Sequence, residues 1–191
     1  METDPKSADR LPPGQIQTKK FPVMTAGTPR TSTKQDWTLT LDGEIENPIT
    51  LNWAELSKLP TTEFETDIHC VTKWSKFDTR WRGVDFDVFV KLVRPHEAAR
   101  FVYATADGGY ASNLHLKDLT GGQAIVATHF EGQPLDVSHG GPVRLVAPRL
   151  YFWKSAKWLR GLHFSKYDYK GYWEKLGYHN YGDPWKEQRY R

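Results

Sequence analysis

The sequence predicts a strand-rich α+β domain with mixed sheets and short peripheral helices. Three observations carry this. Trp37, Leu39 and Leu41 alternate with Thr38, Thr40 and Asp42, and Phe64, Thr66 and Ile68 alternate along Glu63–His69, which is the period of a half-buried strand. The segments that read as helices are short and carry their own start and stop signals. The apolar runs that read as strands are separated by glycine and proline turns, and they outnumber the helices.

Taken in order, the strand at Trp37–Leu41 turns at Asp42-Gly43. Asn52 caps a helix over Trp53–Lys58, which stops before Pro60. Asp85 caps a second helix, with Val88, Phe89, Leu92 and Val93 as its apolar stripe and Pro95 beyond its end. Ala99–Ala106 reads as a strand ending in the turn Asp107-Gly108-Gly109. Asn113–Leu119 reads as one helical turn or two. Gln123–Phe130 and Pro142–Ala147 read as strands, divided by Glu131-Gly132-Gln133-Pro134 and His139-Gly140-Gly141. Ala156–Phe164 is a last strand.

The 191 residues are most simply one domain. Residues 1–20 are polar, contain Pro5, Pro12, Pro13 and Gly14, and read as a flexible lead-in, with the domain proper over 21–191. No apolar stretch approaches the roughly 18–20 residues of a membrane span. The lead-in holds no apolar signal region, and one cysteine suits a reducing compartment, so the expected location is the cytoplasm.

Net charge is only +3, weak support for a polyanion partner, and no nucleic-acid motif is present. The charge is unevenly spread. Residues 144–191 carry eleven Lys and Arg against four Asp and Glu, whereas residues 1–143 are net acidic. A basic, aromatic C-terminal quarter points to an anionic ligand or an acidic partner, or to a solvated basic face.

The single cysteine, Cys70, ends the strand at Glu63–His69 and precedes a polar and aromatic loop. One thiol makes no internal disulfide, which leaves inert packing, a nucleophile or a metal ligand. A nucleophile needs a histidine base, and His69 points to the opposite face of the strand, leaving His139 or His163 to approach in space. The seven histidines are scattered, with no His-x-x-x-His or Cys-x-x-Cys pair, so a protein-only zinc or iron–sulfur site is not expected. A soft thiolate still serves a metal whose other ligands come from a bound cofactor. His139-Gly140-Gly141-Pro142-Val143-Arg144 couples a glycine turn to a guanidinium. Ser155-Ala156-Lys157 gathers hydroxyl, amide and ammonium donors, and Thr105 closes a strand before a glycine turn.

Phe21-Pro22-Val23-Met24-Thr25-Ala26-Gly27, Asp67–Ser75 around Cys70, Gly140–Val146, Tyr151–Lys157 and Gly177–Trp185, in that order, resemble the molybdenum-cofactor domain of the sulfite oxidase family. They are most similar to its single-domain oxidoreductase branch, which is related to the catalytic subunit of the bacterial protein-methionine-sulfoxide reductase. The resemblance implies that fold, and a molybdenum–molybdopterin cofactor with Cys70 as the metal's thiolate ligand. It implies that Thr25, Thr105, His139, Arg144, Ser155, Ala156 and Lys157 hold the pterin and its phosphate, and that Trp74 and Tyr151 stand at the catalytic centre. The reductase relatives carry Asn where this chain has His139. Sulfite oxidases proper follow their cysteine with Ala-Gly-Asn-Arg, whereas here the fourth residue after Cys70 is Trp74. The resemblance therefore implies two-electron oxygen-atom transfer, with reduction of an S-oxide or N-oxide ahead of sulfite oxidation, and a separate electron-transfer partner. Lys73, Arg80, Arg82 and Arg149 are the cations that would serve an oxyanion instead. The readings of another class are a cofactor-free cysteine enzyme and an aromatic, basic binding module.

Overall fold

Strand β2 (Thr38–Gly43) buries Leu39 and Leu41 and leaves its threonines outward, as its alternation dictates. The computed structural model describes residues 9–26 and 33–191. β2 ends at Gly43, whose φ of 92° and whose contact with the Phe164 carbonyl, 2.0 Å from where a Cβ would stand, both require glycine. β3 (Ile49–Asn52) returns antiparallel to β2. β11 (Leu159–Ser165) runs parallel to β2 on its other side and antiparallel to β6 (Phe101–Ala106), which pairs in turn with β7 (Ala111–His115). The sheet order is β3-β2-β11-β6-β7.

The second sheet is organised by β5 (Trp74–Asp85). β4 (Thr62–His69) and β8 (Ile125–Phe130) both pair with it antiparallel, and β1 (Ile16–Gln17) pairs with it in parallel at Trp74 and Ser75. β9 (Gln133–Pro134) and β10 (Arg144–Val146) pair with β8. The main core lies between the sheets, around Trp37, Leu39, Phe86, Phe89, Val126 and Phe164. A second cluster on the other side of β5 and β8 gathers Ile68, Trp81, Ile125, Val146 and Phe152, and a third holds Cys70, Val71, Tyr151 and Trp153.

The helices begin where the caps predict. α1 (Trp53–Leu56) starts with a reciprocal capping box, Glu55 N donating to Asn52 Oδ1 at 3.0 Å and Asn52 N to Glu55 Oε2 at 2.8 Å. α2 (Phe86–Val93) is capped by Asp85, which accepts from Asp87 N at 2.8 Å. Its buried stripe is Phe86, Phe89 and Val93, rotated from the expected one, so Leu92 is 39% exposed. α3 (Tyr172–Lys175) is a single turn near the C-terminus. Among the described residues no helix is long and apolar enough to cross a membrane.

Three expectations change. Asn113–His115 belong to β7, with Leu114 opposite Val102, and only Leu116–Asp118 turns as a 3-10 helix. The stretch after Cys70 is a tight turn followed by the twelve-residue β5, which buries Ser75, Phe77, Thr79 and Trp81, exposes Asp78 and Arg80 and leaves Lys76 half-buried. The lead-in is seated from residue 9. Arg10 Nε donates to Asp67 Oδ2 at 2.8 Å, Arg10 Nη2 reaches Asp78 at 2.6 Å, and the guanidinium lies over Phe77. Residues 1–8 lie outside the described part of the chain.

Candidate active site

β4 and β5 are joined by a turn that carries Cys70 at its start. Lys73 N donates to Cys70 O at 3.1 Å, Cys70 N donates to Trp74 O at 2.8 Å, and Lys73 takes a left-handed φ of 70°. Both ends of the chain hold the turn's carbonyls. Gln15 Nε2 donates to Cys70 O at 3.0 Å, and Ile16 N donates to Lys73 O at 2.8 Å. Buried Arg189 donates to Val71 O at 2.9 Å and to Pro13 O at 3.2 Å. Arg189→Met strands two carbonyls and is expected to cost about 2–3 kcal/mol. Hydrogen exchange of the cofactor-free protein tests this, with amides of Cys70–Trp74 exchanging faster than those of β2 and β11 relative to wild type.

The Cys70 thiol is pushed up by burial, an effect opposed by the hydrogen bond between Sγ and Thr72 Oγ1 at 3.1 Å. His69 faces away, its Nδ1 2.8 Å from Ser75 Oγ, and burial holds it down to about 4, so it is neutral near pH 7. His139 is engaged by Asp136 through Nδ1 at 2.8 Å. His163 pairs with Asp42 on the outer face of the other sheet. The other His139 nitrogen, Nε2, is 3.2 Å from Phe21 O, and no histidine lines the cavity that holds Cys70 among the described residues, so the base that a cysteine nucleophile needs is missing there. Nor do the described residues gather three or more His, Cys, Asp or Glu that could hold a metal ion. A metal at Cys70 needs ligands from a bound group.

Cys70 opens into a cavity of about 200 Å³. Phe21, Pro22, Met24, Thr25 and Ala26 form one wall, and Trp74, Trp153, Trp173 and Tyr178 bound the region around the thiol. Arg144, at the start of β10, and Lys157 line it as well. Arg144 is fully buried, donates to His139 O at 2.7 Å and Ser155 O at 2.9 Å, and lies over the Phe152 ring at 4.4 Å. Burial pushes its guanidinium down to about 9. Lys157 donates to Ser138 O at 2.6 Å, and burial together with Arg144 pushes its ammonium down to about 7. Among the described residues neither cation has a carboxylate within ion-pair distance; the nearby Asp136 is engaged by Ser138 and His139. One buried and one half-buried cation without an ion-paired carboxylate are costly in isolation and suit a bound anion. Gly140, at φ 105°, lets the turn lie against Lys157, whose Cβ would be 2.8 Å from an added Cβ.

This pair has a pH signature. An anion stabilises charged Lys157, so binding takes up a proton once the free lysine has titrated near 7. Anion affinity is therefore full below about 7 and falls as pH rises through that value. Sulfate, which does not titrate in this range, is expected to raise the melting temperature of cofactor-free protein more at pH 6 than at pH 8, where Lys157 has titrated and Arg144 is still largely charged. The Lys157→Met protein should lose that difference.

Of the residues expected at the site, Thr25, Cys70, Trp74, Arg144, Ser155 and Lys157 all line the cavity. His139 stands behind the wall, stacked on Phe21 at 4.1 Å, and lends its carbonyl to Arg144. Ala156 is buried behind the lining and accepts from Leu145 N at 2.9 Å. Tyr151 lies beneath the turn, stacked on Trp153 at 5.3 Å with Arg189 over its ring. Thr105 is elsewhere. Along β6, Val102, Ala104 and Ala106 face the core, so alternation turns Thr105 to the outer face, beside Gly161 and Thr40. Lys73, Arg80, Arg82 and Arg149 do not line the cavity either; Arg80 pairs with Glu131, and Arg82 donates to His129. Sequence reasoning missed Tyr110, whose buried hydroxyl donates to Trp153 O, and the lining aromatics Trp173 and Tyr178. The density of aromatics after Gly171 was the only available signal for the last two.

Comparison with known proteins fits this geometry. Residues 25–173 match the oxidoreductase molybdopterin binding domain family. The chain is 41% identical over 182 residues to the uncharacterized oxidoreductase YuiH of Bacillus subtilis, covering 95% of this chain and 92% of that one. It is 27% identical over 165 residues to the protein-methionine-sulfoxide reductase catalytic subunit MsrP of Campylobacter jejuni, covering 78% of this chain but 55% of the relative. The fold is similar to that of the sulfane dehydrogenase SoxCD from Paracoccus pantotrophus, with a TM-score of 0.68 at 18% identity, over 78% of this chain and 42% of that one. A lone thiol facing an anion-ready cavity, and a family match across most of the chain, lead to one conclusion: the protein belongs to the sulfite oxidase family of molybdopterin-binding oxidoreductases.

Proposed function

We propose that this oxidoreductase reduces a neutral S-oxide or N-oxide. For a sulfoxide, the S–O bond breaks as two electrons and two protons are taken up, and the products are the sulfide and water. When bound, the molybdenum cofactor supplies two-electron oxygen-atom transfer. The residues present suit it. Cys70 Sγ is a soft ligand presented on a held turn, and Arg144, Lys157, Ser155 and Thr25 line the wall that would take the pterin and its phosphate. The aromatic residues around Cys70 exclude water and orient the substrate.

One observation carries the direction. Arg144 and Lys157 are the only Lys or Arg residues lining the cavity among the described residues, and Trp74 occupies the wall near Cys70, its buried indole N–H without a partner. If the cofactor phosphate engages those two cations, no lining Lys or Arg is left to pair directly with a compact dianion such as sulfite, since Arg189 does not line the cavity and is held on Val71 O and Pro13 O, whereas a neutral S-oxide asks only for a hydrogen-bond donor. The relative named as a protein-methionine-sulfoxide reductase catalytic subunit agrees with this reading. Viologen-driven sulfoxide reduction should exceed sulfite oxidation with an artificial acceptor, and Trp74→Arg should narrow the gap. Efficient sulfite oxidation without reductase activity in the wild type would refute the assignment.

A further inference from the structure

We propose that the surface of α3 beside the cavity mouth is the docking site of a small acidic one-electron carrier protein, which delivers the reducing electrons. This inference rests on the reductive reading above.

α3 has two faces. The inner face carries Trp173, which lines the cavity, and Glu174, which is buried against Lys154. The outer face carries exposed Tyr172, Lys175 and Leu176, with Leu176 63% exposed. Exposed Lys170 stands just before the helix. Neither Lys170 nor Lys175 has an ion-pair partner among the described residues. From Tyr169 to Gly182 the sequence holds one carboxylate, Glu174, and it is the buried one. The exposed side chains of residues 169–182 are therefore cationic and apolar, and the exposed acid nearest Tyr190 in sequence, Glu187, lies 3.6 Å from Arg189, which together select a partner with an acidic rim. Exposed tyrosine and leucine beside lysines suit a transient contact.

The same surface is joined to the cavity by rings. Trp153 meets Tyr178 edge-on at 5.1 Å, and Tyr178 meets Tyr190 edge-on at 5.1 Å, with Tyr190 59% exposed. Trp173 stacks on Tyr178 at 4.8 Å, and Tyr172 meets Trp173 at 5.1 Å. A carrier on Tyr172 and Tyr190 is thus separated from the Cys70 cavity by contiguous aromatic contacts. Two successive one-electron transfers from two reduced carriers supply the two electrons that one S-oxide consumes; the two protons come from water.

The test compares two donors on the cofactor-loaded enzyme. Methyl viologen radical needs no docking surface, whereas reduced flavodoxin, an acidic flavin protein, does. Wild-type turnover with flavodoxin should fall with added salt, and Lys170→Glu/Lys175→Glu should lower the flavodoxin-driven kcat/KM about tenfold or more while leaving the viologen-driven rate within about twofold. Calorimetric binding of oxidised flavodoxin reads docking without turnover. Viologen turnover with no flavodoxin binding, or equal flavodoxin rates in the two proteins, would overturn the docking site. Salt-dependent flavodoxin binding that the double variant loses, in an enzyme that viologen cannot drive, would leave the docking site standing and overturn the reductive reading.

Discussion

Cys70→Ser should abolish turnover while leaving the fold intact. The thiol is buried in a small cluster with Val71, Tyr151 and Trp153, and its hydrogen-bond partner is Thr72. A hydroxyl fits the same space, so the packing cost is small. It is a harder and less electron-donating ligand, so the cost to a molybdenum centre is large. Loss of residues that merely orient a metal ligand typically costs about 10–100-fold, and loss of the ligand itself should exceed that range. Steady-state rates alongside circular dichroism check this. Full activity in the serine protein would make Cys70 a packing residue.

Glu174→Leu should be the most destabilising single change in the site's support. Lys154 and Glu174 are 0% and 1% exposed, with Nζ 2.6 Å from Oε1. Lys154 also donates to Asn113 O at 3.0 Å and Asn180 O at 2.6 Å, and Trp153 Nε1 donates to Glu174 Oε1 at 2.8 Å. Removing the carboxylate leaves a buried ammonium without its counter-charge, which costs about 3–5 kcal/mol. For a chain of this length that is roughly a 10 °C fall in melting temperature. Replacing both partners, in Lys154→Met/Glu174→Leu, should cost less than Glu174→Leu alone. Thermal unfolding of the three proteins checks the order. A double variant less stable than the single would show that the pair is held by something other than mutual neutralisation.

Much of the fold was legible because its signals are local. Asn52 and Asp85 cap their own helices, and Leu39 and Leu41 show their buried face within five residues. β5 escaped notice because lysine, aspartate and arginine alternate with its buried residues and give it the composition of a loop. The seating of the lead-in depends on Arg10 meeting Asp67, 57 positions away, which no local pattern encodes. The site divides in the same way. A single thiol at a strand end, and a glycine turn running into Arg144, stand out in one dimension. Thr105 misled because proximity to a glycine turn says nothing about which sheet face a strand residue takes. Tyr110 and Tyr178 reach Trp153 across the fold, through contacts that the sequence spacing does not reveal.

The function proposed for this chain stands or falls on Cys70 supplying a sulfur ligand to bound molybdenum. Molybdenum-edge X-ray absorption of protein made in a cofactor-competent host tests it, on wild type and Cys70→Ser at matched metal content. The expected result is one sulfur neighbour fewer at the metal in the serine protein, with the pterin's sulfurs retained in both. Equal sulfur coordination in the two proteins would contradict it.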